Sequence, residues 1–228
     1  MKGNHWILLF ATVLAGHIIG IQIQNQLVQF IFKPLILPVL IGYFNSQVKN
    51  ITKGIAKWVL FALLFSLLGD VLLMFQEKKS IFFLLGLSAF LIAHVFYIIF
   101  FHNVRIKEKV KSNISPLLIV VVYYAGLIFW LYPHLADMKI PVLIYGIVIS
   151  FMFMLSMHML FINNKPAGKW MMIGALLFVI SDSVLAINKF YQPFGAAGIL
   201  IMLTYGLAQL FIVEGAIRYI RPANTHKI

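Results

Sequence analysis

No cysteine occurs among the 228 residues, so a disulfide framework, a thiolate metal site and a cysteine nucleophile are all excluded. Acid is nearly as scarce. Six Asp and Glu stand against 18 Lys and Arg, a net charge of +12, and charged residues of both signs make up only 11% of the chain. A soluble domain carries about a quarter. With 62% apolar residues, including 21 Phe, the chain is neither a water-soluble globule nor disordered. A nucleic-acid partner is not expected either, because the positive charge sits in short clusters between apolar runs instead of on one soluble face.

A helix needs about 20 mainly apolar residues to cross the hydrocarbon layer. Cutting the chain where polar residues, Pro or Gly interrupt the apolar runs gives eight spans, near 5–23, 28–44, 56–75, 80–101, 115–132, 140–161, 169–187 and 195–217. The expected fold is an all-α integral membrane protein, one transmembrane domain over 1–228, since the polar links are too short to hold a soluble domain. The first span is long for a signal peptide and further spans follow, so it is expected to be retained. Thirteen Lys and Arg fall on the side of the N-terminus, from Lys2 and Lys49 to Arg218, Arg221 and Lys227. Only Lys78, Lys79, Lys139 and Lys189 fall on the other. Positive charge stays inside, which predicts that both termini are cytoplasmic, with a bacterial inner membrane as the expected location.

Sliding the chain by 112 residues superposes Lys57-Trp58 on Lys169-Trp170, Asp70 on Asp182, Phe82 on Phe194 and Gly86 on Gly198. The pattern predicts a parallel four-helix pseudo-repeat that puts Asp70 and Asp182 at one depth. A charge at the bilayer centre costs about 2.5–3.5 kcal/mol on insertion scales, so intramembrane ionisable residues are functional candidates. Lys33, Asp70, Asp182 and Glu214 qualify. Glu214 lies four residues before Arg218, which equally suits a helix-end ion pair. Lys33, five residues into its span, could instead snorkel to water. The aspartates have no such escape: each lies roughly 21 Å along its helix from the basic end at 1.5 Å per residue, and the stem is short. Facing one another across a cavity, they would make an acid beside a carboxylate, the pairing that general acid/base hydrolysis uses.

His17, His94 and His158 also fall inside spans, and Tyr123, Tyr124, Tyr145, Tyr205 and Gln209 suit interhelical hydrogen bonding as well as chemistry. No His pair has the spacing of a helical metal motif, and no Gly-x-Ser-x-Gly elbow occurs, so neither metal nor cofactor is expected. Enzyme and proton-coupled transporter both suit paired intramembrane carboxylates; a non-catalytic lipid-binding or scaffold protein is a third class.

Five segments bear on the choice. Lys33-Pro34, Ser66-Leu67-Leu68-Gly69-Asp70, Ala93-His94-Val95-Phe96-Tyr97, Phe178-Val179-Ile180-Ser181-Asp182-Ser183 and Tyr205-Gly206-Leu207-Ala208-Gln209 occur in an order that resembles the YhhN-type lysoplasmalogenase family, eight-helix membrane hydrolases. Thr204 stands where a second aromatic commonly precedes the eighth-helix tyrosine of that family. The resemblance implies hydrolysis of the vinyl ether bond of a lysoplasmalogen, a lysophospholipid, to a fatty aldehyde and glycerophosphocholine or glycerophosphoethanolamine. It implies Asp70 and Asp182 as the catalytic pair, Lys33 on the lipid phosphate, and His94, Tyr205 and Gln209 lining the cavity.

Overall fold

The computed structural model describes residues 3–221, and among them eight helices are long and apolar enough to cross a membrane. They are α1 (Gly3–Gln22), α2 (Gln26–Gln47), α3 (Ala56–Leu73), α4 (Ile81–Lys107), α5 (Ser115–Leu131), α6 (Lys139–His158), α7 (Lys165–Ala186) and α8 (Ala197–Ile220). This is the all-α, multi-pass membrane protein that the composition requires. Lys2 and Lys227, counted in the charge bias, lie outside the described residues, as do both chain ends.

Local chemistry sets the helix ends. Asn25 caps α2 by accepting from the Val28 amide, and Asn164 caps α7 by accepting from the Ala167 amide, each satisfying an otherwise unpaired first-turn N–H. Gln24, just before the first of these caps, takes a left-handed φ of 54° to reverse the chain between α1 and α2. Pro116 and Pro166 sit in first turns, where the missing N–H costs nothing. Pro34 and Pro38 lie inside α2, which nonetheless runs unbroken.

Two helices run four residues or more past an expected limit. Helix α4 continues through His102, Asn103 and Arg105 to Lys107, and α7 begins at Lys165 instead of 169. Hydropathy locates the edge of the hydrocarbon layer, whereas the backbone ladder continues into water, where polar side chains are no obstacle. At its other end α7 passes into a π-helical turn, Ile187–Tyr191.

The 112-residue offset recurs in the element boundaries. It carries α1 onto Ser115–His134, which holds α5 and the short 3-10 turn after it, and α2 almost onto α6. It likewise carries α3 and α4 onto α7 and α8 to within a few residues. Antiparallel neighbours pair as α1–α2, α3–α4, α5–α6 and α7–α8, and the last helix of each half reaches into the other half: α4 packs on α6, and α8 on α1, α2 and α3. The α7–α8 contact is close because Gly174 has no side chain; a Cβ there would lie 2.8 Å from the Ala208 carbonyl oxygen. Helix α5 is the exception to the symmetry, with Val122 and Phe129 turned outward and α6 as its main partner.

Candidate active site

Between the two halves lies a cavity of about 510 Å³, bordered at one end by Gln26, Gln76, Glu77, Lys78 and Asn188. These residues belong to the α1–α2, α3–α4 and α7–α8 links and their margins, so the cavity opens at the lysine-poor end of the bundle. Its walls include Lys33, Asp70, Tyr145, Asp182 and Tyr205. Helices α3 and α7 thus each bring one aspartate to the same space.

Asp70 is 2% exposed, and its Oδ2 accepts a hydrogen bond of 2.8 Å from the Tyr205 hydroxyl on α8. Lys33 Nζ, on α2, stands 4.0 Å from the other oxygen, Oδ1. Gly69 precedes Asp70 and leaves room for the Phe90 ring, whose Cδ2 would lie 2.6 Å from a Cβ at that position. Asp182 is matched differently: its Oδ2 accepts a 2.5 Å hydrogen bond from Tyr145 on α6, and His94 Nε2 on α4 lies 4.0 Å away. Each carboxylate therefore has one tyrosine donor, but only Asp70 has a lysine beside it. Aromatic rings span the distance between them. Phe178 packs edge-on against both Tyr205 and His94, with centroids 5.5 and 4.6 Å apart, and His94 packs in the same way on Tyr145.

One turn from Asp70 and Tyr205, a second polar rung joins the same two helices. Tyr97 donates to Gln209 Oε1 at 2.5 Å, and Gln209 Nε2 donates to Ser66 Oγ at 3.0 Å. Tyr97 and Gln209 are 112 residues apart, so repeat-equivalent positions meet each other between the halves.

Not every candidate from the sequence reaches the cavity. Tyr205 does. His94 and Gln209 are 0% exposed and stand behind the wall, His94 covered by Phe178 and Tyr145, and Gln209 consumed by the Tyr97–Ser66 network. Glu214 lies apart from the cavity, where it accepts from Tyr43 at 2.6 Å and from Arg218 at 2.7 Å, the helix-end ion pair suggested by the spacing. His158 accepts from the Asn113 amide, a packing role, whereas His17 is buried and lines the cavity. Tyr145 was not distinguishable in the sequence from other span tyrosines. The offset could have found it, because adding 112 to Lys33 gives Tyr145.

The chain has recognisable relatives. It is 32% identical over 200 residues to Lysoplasmalogenase TMEM86B from Homo sapiens, covering 86% of this chain and 79% of that one. It is 30% identical over 162 residues to Lysoplasmalogenase from Mycobacterium bovis, covering 70% of this chain, and 29% identical over 184 residues to Lysoplasmalogenase TMEM86A from Bos taurus, covering 78% of this chain and 72% of that one. The chain spans about 60% of the length of the mycobacterial relatives it matches. No solved structure matches it. The YhhN family model matches residues 28–216, a stretch that runs from the start of α2 into α8 and takes in both aspartates with their lysine and tyrosine partners; the chain belongs to the YhhN family.

Proposed function

We propose that the protein is a membrane-embedded hydrolase that cleaves the vinyl ether bond of lysoplasmalogens, releasing a fatty aldehyde and glycerophosphocholine or glycerophosphoethanolamine. The observation that carries this reading is the pair of aspartates on one cavity, one from each half, each held by a tyrosine hydroxyl. The names of the relatives supply the substrate class. The cavity suits a lysolipid: Gln29, Lys33 and Lys78 offer polar partners for the phosphate and glycerol, and Phe30, Leu87 and Met202 offer an apolar wall for the alkenyl chain.

The reaction starts when one aspartic acid gives its proton to the β-carbon of the vinyl ether. The double bond's electron pair forms the new C–H bond, and the ether oxygen donates into the adjacent carbon, giving an oxocarbenium ion. The facing carboxylate stabilises that cation. Water then adds to the cationic carbon and loses its proton to this second carboxylate, leaving a hemiacetal. In the collapse, the first aspartate takes the hemiacetal hydroxyl proton while the second returns its proton to the departing glycerol oxygen. The C–O bond breaks, aldehyde and alcohol are released, and both carboxyls are back in their starting states. Glycosidases divide acetal hydrolysis between two carboxyl groups in the same manner.

The excess of Lys and Arg at the N-terminal end of the bundle supports placing that end in the cytoplasm and the cavity mouth on the opposite side. Purified protein in detergent micelles, given a lysoplasmalogen, should release aldehyde and water-soluble glycerophosphodiester in equal amounts. Absence of aldehyde, together with solute-dependent loss of a proton gradient from vesicles containing the protein, would replace this reading with a proton-coupled transporter.

A further inference from the structure

The two halves of the bundle present their aspartates with different groups at one equivalent position. Residue 33 of the first half is a lysine, 4.0 Å from Asp70; residue 145 of the second is a tyrosine, hydrogen-bonded to Asp182 at 2.5 Å. The other partners come from opposite halves: Tyr205 on α8 serves Asp70, and His94 on α4 approaches Asp182. A pair of carboxyl groups related by a repeat would begin as equals, and general acid/base hydrolysis requires that they be unequal. The substitution at this position supplies the inequality.

Resting on the two-aspartate reading above, we infer that the Lys33/Tyr145 difference between the repeats assigns the two roles, with Asp182 as the proton donor to the vinyl ether carbon and Asp70 as the carboxylate that faces the oxocarbenium ion and takes the proton from water. Lys33 and Tyr145 are positioning residues in this scheme. A fixed ammonium group beside Asp70 favours the anion there, which is the form that a developing cation needs opposite it. Tyr145 brings no charge. By donating to Oδ2 of Asp182 it fixes the rotation of the carboxyl group and leaves Oδ1 to carry the proton that is transferred. His94, buried behind Phe178, has both ring nitrogens without a hydrogen-bond partner, so it does not tie up that oxygen.

Small anions separate the roles. When the carboxylate opposite a cation is removed, azide can take its space, stabilise the oxocarbenium ion and add to it. The proton on carbon still comes from the remaining acid, azide forms the new C–N bond, and the product is an α-azido ether, the intact lipid plus the elements of hydrazoic acid. Azide cannot replace a missing proton donor. Asp70→Ala and Asp182→Ala should each lose about 100- to 10,000-fold in rate, the usual contribution of general acid/base transfer. Sodium azide should restore the Asp70→Ala rate at least several-fold and give the azido ether by mass spectrometry, while Asp182→Ala gains neither. Lys33→Met and Tyr145→Phe leave both carboxyl groups in place and should give no azido ether; Lys33→Met should lose rate that Lys33→Arg, which restores the cation, recovers, and this separates positioning from simple loss of packing. Azido ether from Asp182→Ala, or an equal response in both alanine variants, overturns the assignment. If the alanine variants do not survive purification, Asp70→Ser and Asp182→Ser decide by the same criterion. Failure of the wild-type protein to release aldehyde would overturn the hydrolase reading itself, a result distinct from either outcome.

Discussion

A carboxylate in the hydrocarbon layer costs about 2.5–3.5 kcal/mol even on the mildest scales, so it is kept where it finds partners and does work. That cost made Asp70 and Asp182 legible in the sequence, and it explains the tyrosine hydroxyl on each. Tyr145 was not legible, because a tyrosine within a span is common interhelical glue and its meaning depends on a residue 37 positions away. Gln209 was legible as a polar residue on the face of Tyr205 but not in its use, since only the packing of Tyr97 and Ser66 shows that its amide is already spent. Asp70→Asn and Asp182→Asn keep the volume and most of the hydrogen bonding but remove proton transfer. Each should elute as folded protein, yet lose about 100-fold or more in kcat. Lys33→Ala should raise KM for the phosphate-bearing lipid and, through Asp70, lower kcat as well, by steady-state assay across substrate concentrations; an unchanged KM would remove Lys33 from phosphate binding.

Among the elements, span number followed from length and composition, because a helix in lipid must satisfy its own backbone and an apolar run of about 20 residues has few alternatives. Span limits followed less well. The extensions of α4 to Lys107 and of α7 back to Lys165 carry polar residues that hydropathy counts as link. The pairing of α7 with α8 rests on a backbone approach that Gly174 permits, so Gly174→Val should force these helices apart and destabilise the protein by about 1–3 kcal/mol, the usual cost of overpacking. Thermal unfolding in detergent would measure it. An unchanged midpoint would mean that α8 can shift without penalty. Gln209→Leu should also lower the midpoint, with a stability loss of about 1–3 kcal/mol, because it strands the Tyr97 and Ser66 hydroxyls in a buried position.

At the scale of the whole molecule, the 112-residue offset and the charge asymmetry are the two organising features. The offset of 112 residues relates the two halves element by element, the last helix of each half packs on the other half, and both aspartates border one cavity. Matched Trp and Asp in Leu-rich helices made that repeat visible in the sequence; the departure of α5 from it was not, since its apolar face reads the same whether it meets lipid or protein. Orientation is testable cleanly because the chain contains no cysteine. A single cysteine at Lys78 should react with a membrane-impermeant maleimide in intact cells, and one at Lys109 only after permeabilisation; the opposite pattern would invert the topology and the side on which the cavity opens.

In the proposed reaction a buried aspartic pair hydrolyses a vinyl ether by protonating its carbon. Its most direct measurement is the isotopic composition of the aldehyde released from a lysoplasmalogen by the purified protein in deuterium oxide. Carbon protonation by a solvent-exchanged aspartic acid should give aldehyde bearing one deuterium on the carbon next to the carbonyl, formed by the wild-type protein and reduced at least about 100-fold in Asp70→Asn and Asp182→Asn. Aldehyde without that deuterium, or undiminished release by both variants, would contradict it.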